Sequence, residues 1–425
     1  MDQPSEKPIG DATNRGEQEQ KHIGPISPVS QRTVSSTPST RLTFGVIAAR
    51  FMLALLCGVS LFLSVLPAGH VAARTALLVA AVVSASEPAP LLLLGDPVQH
   101  IQKTIPSPEG TVYLDIYEPA TPVPLLPGVR EGLVIIPGVG DNRQDPQLIN
   151  LSLALAHSGI VVENITTPTL INNDISAGDS DAVVQAFTFL SHWPGVGADR
   201  VGIAGFSGGG SLACLAAADP RIGDRVSFLA LFGTYFNAET VLRAYGRRAI
   251  TVDGHTVPWY PSQYPLQVLA DVMADGLPPG DGSLLVSAFV LGGKPLIGKE
   301  LMQMSPSAVA AYHLLKGDEP NRVQENIVAL SPQLHTLLNM LSPSSVITKI
   351  HAPIYLLHSR DDSSLPVTES QVFAATLARI HHPYDFVQFG IFQHVQVEAN
   401  PSITQLLSDA PSLFRVLYEV LLPGS

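Results

Sequence analysis

One stretch constrains the fold of this chain more than any other: Val201-Gly202-Ile203-Ala204-Gly205-Phe206-Ser207-Gly208-Gly209-Gly210-Ser211. It reads as a short buried strand, then Gly-x-Ser-x-Gly, then the start of a small-residue helix. Gly205 and Gly209 flank the serine where strand and helix close on each other, and a bulkier side chain would clash there. The turn leaves the backbone N–H of Gly208 free at a helix N-terminus, where partial positive charge gathers. Gly-x-Ser-x-Gly alone is common and usually marks a flexible loop. Between a strand and a helix it is the arrangement that presents a serine hydroxyl for attack. Ser207 is therefore the candidate nucleophile.

The flanking sequence alternates strands and helices. Gly132 to Ile136 is a continuous apolar run, as expected of a parallel strand buried on both faces. Leu151 to His157 reads as helix, Gly159 to Val162 as strand and Asp181 to His192 as helix. Ser211 to Ala218 is the next helix and Val226 to Phe232 the next strand. Thr111 to Tyr117 alternates like an antiparallel edge strand. The rhythm predicts an α/β fold with a doubly wound, mostly parallel sheet. It breaks at about Asn237 and resumes near Ile354. Residues 237–347 hold Trp259, Tyr260, Tyr264, Pro-Gly turns and helical patches such as Gln267 to Met273. They read as an inserted helical cap, either shaping a pocket at the junction or serving only as a structural insertion.

A serine is a weak nucleophile at neutral pH. It needs a base within hydrogen-bond reach, and the base needs a third group to fix its tautomer and balance its charge. Both partners should follow strands, because sites in such sheets lie at the strands' carboxyl ends. The strand Ile354 to His358 runs into an acidic loop holding Asp361 and Asp362. His394 follows the last apolar strand, Phe386 to Phe389, and is the candidate base. His358 lies inside the acid motif, and His381 and His382 precede the last strand at its wrong end. Two backbone donors should meet the developing oxyanion: the Gly208 N–H and, from Pro137-Gly138-Val139-Gly140-Asp141, the Val139 N–H. No histidine spacing supports a metal site, and this chemistry requires no cofactor.

The N-terminal region is of another kind. Residues 1–43 are polar, rich in Ser, Thr, Pro, Gln and Glu, and cannot bury a core; they predict a disordered tail. Residues 44–86 are almost wholly apolar, broken only by Arg50, His70 and Arg74. Extended back to Gly45, the uncharged run Phe51 to Leu66 reaches the ~20 residues of a membrane span. The overall composition, 46% hydrophobic and 14% charged, agrees. Arg32, Arg41 and Arg50 precede the run, so the positive-inside rule puts the N-terminus in the cytoplasm. One span, slightly favoured, leaves the remaining domain outside. A hairpin turning at Pro67-Ala68-Gly69-His70 would return it, and Val83-Ser84-Ala85 resembles a cleavage site. Residues 87–98 read as a linker and 99–425 as the domain that carries Ser207. A net charge of −12 argues against a nucleic-acid surface. Cys57 and Cys214 lie in different segments and imply no disulfide framework.

Together these pieces resemble the α/β-hydrolase superfamily, and most of all its dienelactone-hydrolase and esterase/prolyl-oligopeptidase-like branches. Tyr113-Leu114-Asp115-Ile116-Tyr117-Glu118-Pro119 looks like their opening strand. Phe189 to Gly210, with Pro194-Gly195-Val196-Gly197-Ala198-Asp199-Arg200 before the elbow strand, is similar to their helix–strand–elbow run. The superfamily's recurrent acid pattern, Gly-x-x-Asp with Pro four residues later, selects Asp362 over Asp361, with Ser359 at the Gly position and Pro366 fitting. Two departures stand out: Pro137 replaces the usual His of the oxyanion loop, and Gln393 adjoins His394 where a Gly is usual. The resemblance implies a Ser207-His394-Asp362 triad with Gly208 and Val139 at the oxyanion hole. The expectation is a membrane-anchored serine hydrolase acting on a small ester, with the lipid bilayer as its other partner. Peptidase or acyltransferase activity on the same triad, and a non-catalytic hydrolase-like binding protein, are the alternatives. Oligomeric state is left open.

Overall fold

The structure, a computed structural model, describes residues 40–83, 97–120, 130–398 and 401–421. The expected tail up to residue 39, nearly all of the linker, and Ser84 and Ala85 of the cleavage-like site lie outside the described residues. The chain divides into two compact units, residues 1–59 and 60–425.

Helix α1 (Thr40–Val65) runs through the first unit's described residues and ends in the second. Phe51, Met52, Leu53, Leu55 and Leu56 on it are all exposed. Helix α2 (Pro67–Val83) follows after Leu66. The expected turn at Pro67 to His70 is instead the first turn of this helix, because proline suits a helix's opening position and its missing N–H costs nothing there. Among the described residues no helix is long and apolar enough to cross a membrane, which corrects the expected membrane segment at residues 44–86. For α2 the physical reason is visible: Thr75 and Leu78 are fully buried and Ala81 nearly so. Leu78 and Ala81 pack with Leu148, Leu155 and Leu421 of the second unit. Its apolarity is that of a core helix.

The second unit is built on an eight-stranded sheet in the order β1-β2-β4-β3-β5-β6-β9-β10. The strands are β1 (Val98–Ser107), β2 (Gly110–Pro119), β3 (Arg130–Ile136), β4 (Val161–Thr166), β5 (Val196–Phe206), β6 (Val226–Phe232), β9 (Ile354–Ser359) and β10 (Tyr384–Phe389). Only β2 runs against its neighbours; all pairs from β4 to β10 are parallel. Helices α3 (Pro146–His157), α5 (Asp179–Ser191), α6 (Gly208–Ala217), α14 (Val367–Arg379) and α15 (Ile403–Leu421) cover the sheet, with the short α4 (Pro168–Ile171) at the end of β4. The strand expected at Thr111 to Tyr117 is β2, but it is not an edge. It lies between β1 and β4, and the polar, largely exposed β1 takes the edge. The strand expected at Gly159 to Val162 is β4, shifted onward to Thr166 and buried at every position. Glu163 and Asn164 hid its continuation.

Between β6 and β9 lie α7 (Ala238–Arg247), α8 (Gln263–Ala274), α9 (Pro279–Phe289), α10 (Gly298–Leu301), α11 (Pro306–Lys316), α12 (Val323–Val328) and α13 (Pro332–Met340). The β7–β8 hairpin (Ala249–Val252 with His255–Pro258) sits among them. These helices bury an apolar core of their own, including Leu242, Tyr245, Leu285, Leu314 and Leu334. Several hydrogen bonds fix this cap to the sheet. The Glu369 carboxylate, buried on α14, accepts from the Phe236 and Asn237 N–H groups and the Thr240 hydroxyl. Asn237 then caps α7 with its own side chain.

Candidate active site

Ser207 sits between β5 and α6 with φ 54° and ψ −127°, a strained conformation for a residue with a Cβ. The surrounding glycines make it attainable. A Cβ on Gly205 would lie 2.5 Å from the Gly210 Cα, and one on Gly209 would lie 2.5 Å from the Ile136 carbonyl oxygen. Strand and helix thus close with no room for a side chain at either position. The Ser207 N–H still donates to the Phe232 carbonyl at 2.8 Å, so the turn is anchored to β6 while the side chain faces a cavity of about 380 Å³.

His394 lines the same cavity. It occupies a tight turn between the two-residue strands β11 (Phe392–Gln393) and β12 (Gln396–Val397), at φ 56°. Its Nδ1 lies 2.8 Å from the Asp362 carboxylate. Of the two neighbouring acids, Asp362 is the one that reaches it; Asp361 is exposed. The Asp362 side chain is fully buried. Its other oxygen accepts from the Ser364 and Leu365 N–H groups at 2.7 and 2.9 Å. Burial alone would push this carboxyl up, but hydrogen bonds from His358 and His394 outweigh burial and hold it well below the usual carboxylate range.

The structure adds His358 to the cluster. It is fully buried at the end of β9, with Nε2 3.1 Å from the Leu365 carbonyl and 3.3 Å from Asp362. A carbonyl can only accept, so Nε2 carries the proton and Nδ1 accepts from the Ser370 hydroxyl at 2.7 Å. His358 therefore clamps the acid from the side opposite His394. Its only trace in the sequence is the four-residue spacing from Asp362. His381 and His382 lie at the far end of the sheet, before β10.

Val139 and Gly208 line the cavity beside Ser207. Among the described residues neither of their N–H groups donates a hydrogen bond. The Val139 loop is held by its neighbours: Asn142 donates to the Val139 and Gly140 carbonyls, and the Gly140 N–H donates to the Leu170 carbonyl. The cap reaches both halves of the site. Tyr264 donates to the Val139 carbonyl at 3.0 Å, Trp259 Nε1 donates to the Asp362 carbonyl at 2.7 Å, and the Tyr245 hydroxyl donates to Ser364 at 2.6 Å. Tyr260 is exposed. Among the described residues no group of His, Cys, Asp or Glu is arranged to hold a metal ion.

The sequence matches no protein-family model, and no curated protein matches it. Solved structures do. It is similar to an acylaminoacyl peptidase of Pyrococcus horikoshii at 13% identity and a TM-score of 0.45, over 79% of this chain and 43% of that one. It is similar to a puromycin-hydrolyzing peptidase of Mycobacterium tuberculosis at 14% identity and a TM-score of 0.46, over 77% and 40%. It is also similar to a 2,6-dihydroxy-pseudo-oxynicotine hydrolase at 16% identity and a TM-score of 0.41, over 80% and 71%. This chain spans less than half the length of the two peptidases. The strand–turn–helix at Ser207 resembles the nucleophile elbow expected from the sequence.

Proposed function

We propose that this chain hydrolyses a carboxylic acid derivative through an acyl-enzyme on Ser207. Ser207 Oγ attacks the carbonyl carbon, and His394 Nε2 takes the hydroxyl proton and then delivers it to the leaving group. Asp362 holds the ring through Nδ1 and balances the imidazolium charge, and the Gly208 and Val139 amides receive the oxyanion. Water then attacks the ester on Ser207, with His394 again as base. The observation that carries this reading is the 2.8 Å bond between His394 and a buried, ionised Asp362, beside a serine on a strained elbow.

The sequence favoured an ester as substrate. The similar structures are described mainly as peptidases, so the carboxylesterase reading widens to acyl compounds, with the amide bond tested first. The distinction lies in the leaving group: an amine must be protonated as it departs, which asks more of His394 than an alkoxide does. The test is labelling with a fluorophosphonate, followed by turnover of an ester and an anilide carrying the same acyl group. Labelling at Ser207 that is lost in Ser207→Ala is expected. A folded protein that takes no label would overturn the reading.

Membrane association is a second proposal, resting on the exposed Phe51, Leu53, Leu55 and Leu56 of α1, which a lipid surface would cover, with the N-terminus cytoplasmic. Flotation with phospholipid vesicles checks it: the full chain should float, and the double variant Leu53→Glu, Leu56→Glu should not.

A further inference from the structure

A second cavity, of about 230 Å³, lies behind the sheet, on the side covered by α2, α3 and α15. Its floor is the rear face of the central strands β5 and β6. On their front face Ile203, Leu229 and Leu231 are fully buried. On the rear face the corresponding positions carry Ala204 and Ala230, and both line the cavity. Phe228 and Ala230 keep partial exposure although β6 is an interior strand. The roof is aliphatic: Ala81 and Val82 from α2, Leu151 from α3, Val416 and Leu417 from α15. Ala204 and Ala230, with Phe206, Phe228 and Phe232 beside them on the same strands, leave a mainly apolar space beneath a roof of leucine and valine, which Glu131, Asp145, Gln147 and Asn150 also line. A mainly apolar space of this kind accepts an apolar guest.

The two cavities adjoin. Pro137, Asn142, Val395 and Gln396 line both. Pro137 opens the loop that carries Val139, and Val395 and Gln396 directly follow His394. The residues common to both cavities thus belong to the oxyanion loop and the His394 turn.

We propose that the rear cavity binds the hydrocarbon chain of the substrate, so that the enzyme's acyl compounds carry an unbranched alkyl tail that passes from Ser207 between Pro137 and Val395. This rests on the hydrolase reading, and the tests separate the two. The first uses the full chain with Ser207→Ala and needs no catalysis. Displacement of cis-parinaric acid by saturated fatty acids should tighten about fourfold for each added methylene until the cavity is full. Affinity independent of chain length overturns the proposal. Ala230→Leu fills the floor and Ala81→Leu the roof, so a failure of either to fold leaves the other; each should weaken binding of the longer acids at least tenfold, and unchanged binding in a folded variant overturns it. The second test uses the active chain. Both filling variants should keep the acetyl-ester kcat/KM and lose the octanoyl-ester kcat/KM. Equal loss on both esters overturns the link to Ser207. No turnover of any ester or amide overturns the hydrolase reading alone, and the fatty-acid measurement still decides the cavity.

Discussion

At the scale of single residues, two buried carboxyls take opposite courses. Asp362 is surrounded by donors and held ionised; Glu163, in the middle of β4, has no hydrogen-bond partner for either oxygen among the described residues, and burial pushes its carboxyl well above the usual range. The signs differ accordingly. Asp362, with a folded pKa below the unfolded value of about 3.9, contributes stability above that value and loses it as the pH falls toward the folded pKa. Glu163 does the reverse: its cost is absent below about pH 4.3 and grows as the pH rises toward its folded pKa. Glu163→Met should therefore stabilise by about 1–3 kcal/mol at pH 8, with the gain shrinking toward pH 4, as read from urea midpoints across that range. A gain independent of pH would mean that the side chain's charge is not the cause. Asp362→Asn should lower kcat by about 10⁴-fold with KM little changed, while Asp361→Asn, outside the cluster, should keep activity within twofold or so. The Asp362 register was readable only through the superfamily's spacing, because nothing in Arg360-Asp361-Asp362 itself says which carboxyl turns inward. The His358 clamp left only its four-residue spacing from Asp362 in the sequence. It depends on a carbonyl, a serine on the next helix and a ring meeting in three dimensions.

At the scale of elements, legibility follows from whether the chemistry of an element is local. The elbow was legible because a strand, two obligatory glycines and a helix start are consecutive in sequence. β1 was missed because an edge strand with one face in solvent carries polar residues such as Gln99, Gln102 and Lys103. The end of β4 was missed because Glu163 and Asn164 are buried against pattern. The cap was legible as an interruption of rhythm, but its role was not. Trp259, Tyr245 and Tyr264 each bond to the backbone of the acid or oxyanion loop from more than 100 residues away, and sequence carries no trace of such pairings. These bonds make the cap a brace for the site. Trp259→Phe keeps an aromatic ring beside Tyr245, now 5.5 Å between centroids, and removes only the donor to Asp362. The loss of one such bond, about 0.5–1.5 kcal/mol, should appear as a roughly 2- to 10-fold fall in kcat. A structural insertion indifferent to the site would show a lowered melting temperature and an unaltered kcat.

At the scale of the whole molecule, the boundary of the folding unit does not fall where hydropathy places it. An apolar helix looks the same in sequence whether lipid or protein covers it, and residues 44–86 read as one membrane segment for that reason. The structure separates the segment into α1, whose leucines between residues 53 and 56 are exposed, and α2, whose Leu78 is fully buried beside Leu148 and Leu421. The two halves should then respond differently to the same change. Leu78→Ala removes packed methyl groups from the core and leaves a cavity, which should cost about 2–5 kcal/mol. Leu53→Ala removes the same atoms from an exposed position, and its cost should stay within about 0.5 kcal/mol. Urea denaturation of both variants, with equal slopes as the check on two-state behaviour, makes the comparison. α2 also roofs the rear cavity through Ala81 and Val82, so destabilisation by Leu78→Ala should be partly recovered by a saturating long-chain fatty acid, because a ligand that binds only the folded form adds its binding free energy to stability. If Leu78→Ala proved as mild as Leu53→Ala, α2 would not belong to the folded domain, and the roof of the cavity would be lost with it.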